Sequence, residues 1–309
     1  MQFNNKKIKD IGEFGLIKQL AYLIKKKDKS VICGINDDAA VLKYTKDKYL
    51  LFTTDMLIEN VHFTRKMNPE AIGQKALAVN LSDIASMGGL PRYAVISLGL
   101  PKDLSLAFVK KIYKGMLEFA RKFKVNIVGG DTNQSKNIII NISLLGEVKK
   151  RFLTLRSGAK CNDLIFVSGN LGRSYVSGRH LEFVPRIETS RFLVKRFKPS
   201  AMIDISDGLV LDLSHILELS GVGAVIYERL IPRSKDASLK EALYDGEDFE
   251  LIFTMAKNKA KLFLNSLNKN EIKIPISLIG EITSKKMQIL LIDRFNKIKF
   301  LIPKGFTHF

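Results

Sequence analysis

The sequence has no tryptophan and only two cysteines, Cys33 and Cys161, in 309 residues. The cysteines lie far apart and form no CxxC pair, which argues against a disulfide framework or a structural zinc site and fits a reducing compartment. No apolar run is long enough to cross a bilayer. Near the amino terminus, Asp10, Glu13 and Lys18 interrupt any signal-peptide core. We therefore expect a cytoplasmic protein without a membrane partner.

Several common catalytic motifs are also missing. The sequence has no GxxxxGK[ST] phosphate-binding loop, no GxSxG, no HExxH and no GxGxxG after a predicted strand. If the protein binds a nucleotide, carboxylate-bound metal ions must therefore hold its phosphates.

Acidic residues are scarce: 31 Asp and Glu stand against 50 Lys and Arg, which gives a formal net charge of +19. The lysines are spread along the chain, which favours a solvated surface, with steering of anionic substrates and nucleic-acid contact as alternatives. No basic motif interleaved with aromatic residues supports nucleic-acid binding. We do not expect a nucleic-acid partner, but a non-catalytic, basic nucleic-acid-binding protein stays the alternative from a different class.

Against this basic background, aspartates recur in five short runs that are apolar or rich in small residues. The runs are Gly34-Ile35-Asn36-Asp37-Asp38-Ala39-Ala40, Thr53-Thr54-Asp55, Asn80-Leu81-Ser82-Asp83, Gly129-Gly130-Asp131-Thr132 and Asp204-Ile205-Ser206-Asp207-Gly208. Burying a carboxylate is costly unless a cation or hydrogen bonds compensate it. Five such sites suggest one shared cause. The simplest is a cluster of Mg²⁺ ions that holds a polyphosphate, because Mg²⁺ prefers hard oxygen ligands that phosphates complete.

Each run also has a purely structural alternative, and in the last run Asp207 fits a cap at the start of the helix that follows. Asp38 fits an Asx turn that follows a glycine. Asp55 fits a helix cap. Asn80 and Asp83 lie three residues apart on one predicted helix, so they share a face and fit an inter-helix hydrogen bond. Gly129-Gly130-Asp131 fits a tight turn. On spacing alone these alternatives stay open.

Strand-like and helix-like segments alternate in both halves of the chain, which is typical of α/β or α+β domains. The patterns predict strands at 49–54, 92–100, 125–128, 137–148, 164–168, 223–227, 249–254, 274–282, 287–293 and 297–302, and helices at 69–87, 104–123, 188–197, 208–219 and 256–268. The first strand should end in Asp55 and the third should run into Gly129. The charged, turn-rich stretch 149–158 is the best boundary, so we expect domains over 1–150 and 151–309.

Taken in order, these runs resemble those of the thiamine-monophosphate kinases, and the resemblance covers nearly the whole chain. It also includes Gly12-Glu13-Phe14-Gly15, His62-Phe63, Lys75-Ala76-Leu77-Ala78-Val79, Arg156-Ser157-Gly158-Ala159-Lys160, Gly246-Glu247-Asp248-Phe249-Glu250 and Lys304-Gly305-Phe306. Each run alone is weak, but the ordered set is highly specific. That family belongs with aminoimidazole ribonucleotide synthetase and selenophosphate synthetase.

The resemblance implies a two-domain, synthetase-like α/β fold. N-terminal domains of two copies would pair into a dimeric β-barrel, with a C-terminal α/β domain behind and with ATP and several Mg²⁺ ions in the cleft between. It also implies that ATP phosphorylates thiamine monophosphate to thiamine diphosphate by direct in-line transfer, assisted by metals and by no acid–base residue. The alternative within the superfamily is another ATP-dependent synthetase.

Matched by motif, the resemblance implies three groups of site residues. The metal ligands would be Asp38, Thr53, Thr54, Asp55, Asp83, Asp131, Asp204 and Asp207. The ATP contacts would be Gly130, Asp131, Arg156 and Ser206. The contacts to thiamine monophosphate would be His62 and Glu247.

Four positions depart from the family pattern. Asn36 stands where a glycine is usual before the aspartate pair, and Cys161-Asn162 replaces the usual Pro-Gly. Pro303 stands where an aromatic contact to the substrate can occur. None of these changes removes a carboxylate that is expected to bind metal.

Overall fold

The computed structural model describes residues 7–24, 28–267 and 272–308, and its two β-sheets come from separate halves of the chain. The strands of the first sheet are β1 (Val31–Cys33), β2 (Ala40–Lys43), β3 (Lys48–Ile58), β4 (Leu90–Leu100), β5 (Asn126–Gln134) and β6 (Ile139–Lys149). They lie in the order β1-β2-β3-β6-β4-β5, and each neighbouring pair is antiparallel except β4 with β5.

The second sheet has seven strands and is also mixed. The strands are β7 (Leu164–Ser168), β8 (Ala201–Asp204), β9 (Gly223–Tyr227), β10 (Leu251–Met255), β11 (Ile276–Thr283), β12 (Ile289–Ile292) and β13 (Ile298–Leu301). Their order is β13-β12-β9-β11-β7-β10-β8, and β9 pairs with β12 in parallel. Two mixed sheets with helices confirm the predicted α/β architecture.

Nine α-helices lie within the described residues. They are α1 (Ile8–Leu23), α2 (Pro69–Ser86), α3 (Leu106–Phe123), α4 (Ser174–Ser177), α5 (Arg179–Glu182), α6 (Ile187–Arg196), α7 (Leu209–Ser220), α8 (Leu239–Tyr244) and α9 (Lys257–Leu267). The helix predicted at 256–268 is confirmed as α9, although residue 268 lies outside the described part. In that part of the chain, no helix is long and apolar enough to span a membrane.

Helix α2 lies at the centre of the molecule. Fourteen of its eighteen residues are buried, which is expected of a helix with apolar residues on every side. It packs against α3, β3 and β6 of the first half and against α5, α6 and β8 of the second. Asn68 caps it by accepting a hydrogen bond from the Glu70 N–H, and Pro69 takes the first helical position. The helix therefore carries side chains into the boundary between the two halves.

Two glycines let α2 and α3 cross at close range. A Cβ atom at Gly73 would lie 1.9 Å from the carbonyl oxygen of Ile112, and one at Gly115 would lie 1.9 Å from that of Glu70. Backbone contacts as close as these exclude any larger residue unless the helices move apart and open the core. The crossing thus fixes the position of α2 against the first half.

Two expected strand ends are wrong. Strand β3 does not end at Asp55 but continues to Ile58, paired with β6 along its whole length. Gly130 and Asp131 lie inside β5 rather than in a turn after it, because β4 offers a parallel partner as far as Gln134. A Cβ atom at Gly130 would lie 1.8 Å from the carbonyl oxygen of Ile96, so the contact between these strands requires a glycine there.

The first sheet is open within the described chain, with β1 and β5 at its edges. One face of β3, which includes Leu51 and Thr53, is buried, while Phe52 and Met56 on the other face are 45% and 50% exposed. The expected barrel would need a second copy on this open face, so the barrel stays a prediction. The domain boundary near residue 150 also stays a prediction.

Two of the departures from the family pattern have a backbone explanation. Asn36 has a φ of 105° and Asn162 has a φ of 72°, both in the region that glycine adopts without strain. Asparagine tolerates positive φ better than most residues, because its short polar side chain can hydrogen-bond locally. The asparagines therefore keep the turn that a glycine would make.

Candidate metal and phosphate site

Three carboxylates from different parts of the chain meet between the two sheets. Asp38 precedes β2, Asp83 lies in the last turn of α2, and Asp204 ends β8. One carboxylate oxygen of each lies within 4.8 Å of the others. Asp55 on β3 lies against Asp83 and completes a group of four, which we call the acidic cluster.

Neighbouring side chains hold the acidic cluster in place. The Thr53 hydroxyl donates to Asp83, and Ser82 Oγ donates to Asp204 Oδ2 at 2.5 Å. Arg156 Nε donates to Asp38 Oδ1 at 2.9 Å. The other oxygen, Asp38 Oδ2, is buried and has no hydrogen-bond partner among the described residues. A buried carboxylate oxygen without a donor, beside two further carboxylates, is a donor set that suits a hard divalent cation.

Burial makes Asp55, Asp83 and Asp204 unusually weak acids, with pKa values above the usual range. It raises the pKa of Asp204 to about 8 and that of Asp55 to about 6, and nearby carboxylates, above all Asp38, push in the same direction. The pKa of Asp83 is raised well above its usual range by burial and by Asp55 and Asp204. Arg156 supplies one positive charge against this repulsion. Divalent cations bound at the cluster would favour the ionised forms and remove the remaining conflict.

The loop after β8 continues the acidic surface. Ser206 and Asp207 line the same cleft as Asp204, and burial raises the pKa of Asp207 to about 7. Asp212, on α7 and only 2% exposed, accepts the backbone N–H groups of Asp207 and Gly208, both at 3.0 Å. These bonds fix the loop conformation and so fix the direction in which the loop faces the cleft.

The opposite end of the cleft carries the two expected substrate contacts. The cleft has a volume of about 330 Å³, and its lining includes Asp83, Asp204, His62, Glu247 and Phe306. His62 Nδ1 accepts the Ile58 N–H at 3.0 Å, so Nε2 carries the proton of the neutral ring. Burial lowers the pKa of His62, which keeps that ring neutral near pH 7.

A second cavity of about 550 Å³ adjoins this cleft, and we call it the aromatic pocket. It is lined by Val61, Tyr175, Val176, Tyr244, Asp245, Gly246, Glu247, Gly305 and Phe306. Glu247 and Phe306 line both cavities, so they stand at the boundary between them. Phe306 places an aromatic ring beside the expected substrate contacts His62 and Glu247, even though Pro303 stands where the family pattern allows an aromatic residue.

The structure brings most of the expected site residues together but separates Gly130 and Asp131, and it turns the Thr54 hydroxyl away from the cleft that Thr54 lines. The Thr54 hydroxyl lies on the open face of the first sheet, 3.0 Å from Ser143 Oγ. Gly130 and Asp131 lie on β5, three strands away from β3, which corresponds to about 14 Å at the usual strand spacing. The Asp131 carboxylate accepts a hydrogen bond from Asn133 at 2.6 Å. Their roles stay predictions, and within one chain they are not part of the acidic cluster.

Sequence reasoning missed several residues of the site. Asp37, beside Asp38, accepts the Arg156 N–H at 3.2 Å. Lys75 and Asp212 are charged residues in apolar helices. Asp83 was chosen as a site candidate for the same reason, so this pattern could also have identified them. His180 gave no signal, and Phe306 belonged to a run that carried the resemblance but had no assigned role, because only the folded chain brings them to the site.

Comparisons with known proteins agree with this geometry. The family model of the AIR synthase related protein, N-terminal domain, matches residues 36–148, and that of the C-terminal domain matches residues 148–293. The thiamine-monophosphate kinase of Buchnera aphidicola subsp. Schizaphis graminum is 38% identical, with 97% of this chain and 99% of the relative covered. The thiamine-monophosphate kinase of Aquifex aeolicus is 36% identical, and the match covers 98% of this chain and 100% of the relative.

The chain belongs to the thiamine-monophosphate kinase family. It is therefore a kinase, and its fold is the two-domain fold of that family. A solved structure described as AaThiL complexed with AMPPCP and TMP has a TM-score of 0.85 at 34% identity, and all of both chains is covered. That structure is thus similar to this member of the thiamine-monophosphate kinase family over its whole length.

The raised pKa values predict an unusual pH dependence of stability. Unfolded carboxyl groups have a pKa of about 3.9, whereas those of folded Asp55, Asp207 and Asp204 are about 6, 7 and 8. Without divalent cations, the free energy of unfolding should fall as the pH rises from about 4 to about 8, because the unfolded state releases these protons first. Mg²⁺ should restore the lost free energy of unfolding, and it should stabilise the folded protein more at pH 8 than at pH 6.

Urea unfolding across this pH range, with EDTA or with Mg²⁺, measures both effects. Asp204→Asn should flatten the pH dependence in EDTA and weaken the effect of Mg²⁺, while Asp103→Asn, at an exposed position, serves as the matched control. Stability in EDTA that rises over this range, or a Mg²⁺ effect that is equal at both pH values, would contradict the interpretation.

Proposed function

We propose that the chain uses ATP to phosphorylate thiamine monophosphate, giving thiamine diphosphate and ADP, in a Mg²⁺-dependent direct transfer. The observation that carries the proposal is the acidic cluster: Asp55, Asp83 and Asp204 line one cleft with His62 and Glu247, and the buried, unpartnered Asp38 oxygen lies beside them. The similarity to a structure described with AMPPCP and TMP supports the same pair of substrates.

The acidic cluster is the end of the cleft that suits ATP phosphates. Asp38, Asp55, Asp83 and Asp204 would hold the Mg²⁺ ions, with Asp207 at the edge of the same cleft. When bound, Mg²⁺ neutralises phosphate charge, and so lowers the barrier for two polyanions to approach. Arg156 reaches this cluster through Asp38, to which its Nε and Nη2 both donate, and its Nη1 can turn towards a phosphate.

The chain needs no general base for this reaction. The nucleophile is a phosphate oxygen of thiamine monophosphate, and a phosphate monoester has a second pKa of about 6, so it is largely ionised at neutral pH. The neutral His62 then acts as a hydrogen-bond donor through Nε2 rather than as a base. Direct in-line transfer follows, with no covalent phosphoenzyme.

The aromatic pocket suits the organic part of thiamine monophosphate. Tyr175, Tyr244 and Phe306 offer aromatic surface, and Asp245 and Glu247 offer negative charge. A thiazolium ring is both flat and positively charged, so aromatic faces and carboxylates favour it together. With the rings in this pocket, the phosphate would extend past Glu247 towards the acidic cluster.

We infer a homodimer from the open face of the first sheet. Tyr93 and Val95 on β4 are 49% and 41% exposed, in addition to Phe52 and Met56 on β3. The strand registers place these side chains on one continuous face. A sheet of this kind usually buries its second face against another layer, and a second copy would supply that layer.

Pairing through this face would also complete the site. The strand registers align Asp131 with Ser97, Asn141 and Met56, so Asp131 belongs to the open face near its edge. It lies too far from the acidic cluster of its own chain to share a metal with it. We infer that Asp131 serves the site of the second copy.

Thiamine diphosphate should form when the pure protein is incubated with ATP, Mg²⁺ and thiamine monophosphate, with one ADP per product. Asp83→Asn should lower turnover by at least about 100-fold, since even an outer-shell partner of a metal is worth roughly 10–100-fold. Asp103→Asn is the matched control and should keep wild-type activity. Chromatography of the products, with a label on the γ-phosphate of ATP, measures the ratio of thiamine diphosphate to ADP and the turnover of each variant.

Three outcomes would contradict the proposal. Phosphate label trapped on the protein during turnover would exclude direct transfer. ATP-dependent turnover of selenide or of a formylglycinamidine ribonucleotide, without thiamine diphosphate, would assign the chain to another synthetase class. Steeply salt-dependent DNA binding without ATP turnover would favour the nucleic-acid-binding alternative.

A mixture of two inactive variants tests whether Asp131 serves the second copy. Asp83→Asn and Asp131→Asn should each be nearly inactive when alone. In a mixed dimer of a two-fold symmetric protein, one of the two sites receives both native aspartates. Random exchange makes about half of the dimers mixed, so it should restore about a quarter of wild-type turnover. If both residues belonged to the same chain's site, every site would keep one defect and mixing would restore nothing.

A further inference from the structure

A buried lysine joins the two residues that are expected to contact the substrate. Lys75, on α2, is fully buried. Its Nζ donates to the His62 carbonyl oxygen at 2.9 Å and to Glu247 Oε2 at 2.6 Å. His180 Nδ1 lies 2.8 Å from the same ammonium group. A charged lysine this deep is rare, and it is tolerated only when acceptors surround it.

Glu247 needs such support because its backbone is strained. Its φ of 66° lies in the left-handed region, where a side chain of this size is uncommon. The Glu247 N–H donates to the Ser206 carbonyl oxygen at 2.6 Å, which ties this residue to the loop that carries Asp207. The backbone of Glu247 is therefore fixed, and the hydrogen-bond partners of its carboxylate determine the position of the carboxylate.

The partners of Glu247 also keep its carboxyl group ionised. Burial by itself would raise the pKa of this carboxyl group, but the His180 hydrogen bond and the Lys75 charge outweigh it and lower the pKa. For Lys75, burial is the larger effect and lowers the pKa, while Glu247 acts in the opposite direction. The two groups thus form an ion pair between the first and second halves of the chain.

His180 is the third member of this network. It is fully buried on α5, its ring stacks on Tyr175 of the aromatic pocket at 4.5 Å, and its Nδ1 lies 2.9 Å from Glu247 Oε2. Nδ1 can donate to Glu247 or accept from Lys75, but not both. Nε2 is buried without a partner among the described residues, and a bare nitrogen there costs less than an unpaired N–H. That favours a proton on Nδ1, donated to Glu247.

We propose that Lys75 and His180 are positioning residues that hold the Glu247 carboxylate at the boundary between the cleft and the aromatic pocket. This inference rests on the proposed function, since it makes the carboxylate a contact for thiamine monophosphate. Lys75 acts across the boundary between the two halves and also holds the His62 carbonyl group. It touches neither the acidic cluster nor any residue expected to bind ATP.

The test compares Lys75→Met, Glu247→Gln and the double variant. Lys75→Met should raise the KM for thiamine monophosphate at least about 10-fold, because it leaves a buried carboxylate uncompensated, while the KM for ATP should change less than about 2-fold. Adding Lys75→Met to Glu247→Gln should weaken the affinity for thiamine monophosphate by no more than about 3-fold further, since residues that act through one another are not additive. Lys75→Arg should recover part of the loss.

Lys114→Met is the matched control, because Lys114 also pairs with a glutamate, Glu70, but at an exposed position. Equilibrium binding of thiamine monophosphate, measured by calorimetry without ATP, separates binding from turnover. An unchanged KM for thiamine monophosphate in Lys75→Met, or fully additive losses in the double variant, would overturn the inference. A parallel rise in both KM values would show a general structural defect and would also overturn it.

If Lys75→Met does not fold, the comparison between the double variant and Glu247→Gln still tests the inference. In the double variant neither buried charge remains, so it should fold as well as Glu247→Gln does. Affinities for thiamine monophosphate within about 3-fold of each other in these two proteins support the inference, and a gap of more than about 10-fold refutes it. Wild-type protein that binds no thiamine monophosphate removes the proposed function together with this inference, whereas wild-type affinity in Lys75→Met removes this inference alone.

Discussion

Mutual repulsion among buried carboxylates is the constraint on which the site depends. Asp38, Asp83 and Asp204 lie within 4.8 Å of one another, and Arg156 is the cation that contacts this group. Like charges this close cannot all ionise in a buried place unless cations join them. The fold therefore keeps an unfavourable arrangement whose natural complement is a set of divalent ions and the phosphates that share them.

Helix α2 maintains that arrangement because it serves both ends of the cleft. Lys75 and Ser82 are seven residues apart, so they lie on one face and about 10 Å apart along the axis. Lys75 bonds to Glu247 at the end where we propose that the substrate binds, and Ser82 bonds to Asp204 at the end where we propose that metal ions bind. The glycine crossing with α3 fixes the helix, so the distance between the two ends is set by one rigid element. Phosphoryl transfer depends on such positioning more than on any acid or base.

Much of the fold and the meeting of several aspartates were predictable from the sequence. Apolar periodicity located α2 and α3. Aspartates in apolar surroundings predicted that carboxylates from distant runs meet, as Asp38, Asp83 and Asp204 do, while the metal ions stay a prediction. Periodicity placed the end of β3 wrongly, because the pairing with β6 beyond Asp55 is a tertiary effect. The network around Lys75 was beyond the reach of local patterns: Glu247 lies 172 residues away and His180 lies 105 residues away. Motif order also gave no sign that Asp131 lies on the open face, away from the cluster.

The most direct measurement of the central claim is the stability of Asp83→Asn at pH 8 in EDTA. If the fold tolerates crowding of carboxylates in the acidic cluster for the sake of function, removing the Asp83 carboxyl group should raise the free energy of unfolding by about 0.5–2 kcal/mol, the usual size of a stabilising substitution. The same variant should lose most of the stabilisation that Mg²⁺ gives the wild-type protein. A variant that is less stable than wild type in EDTA, yet still gains the full stabilisation from Mg²⁺, would contradict the account.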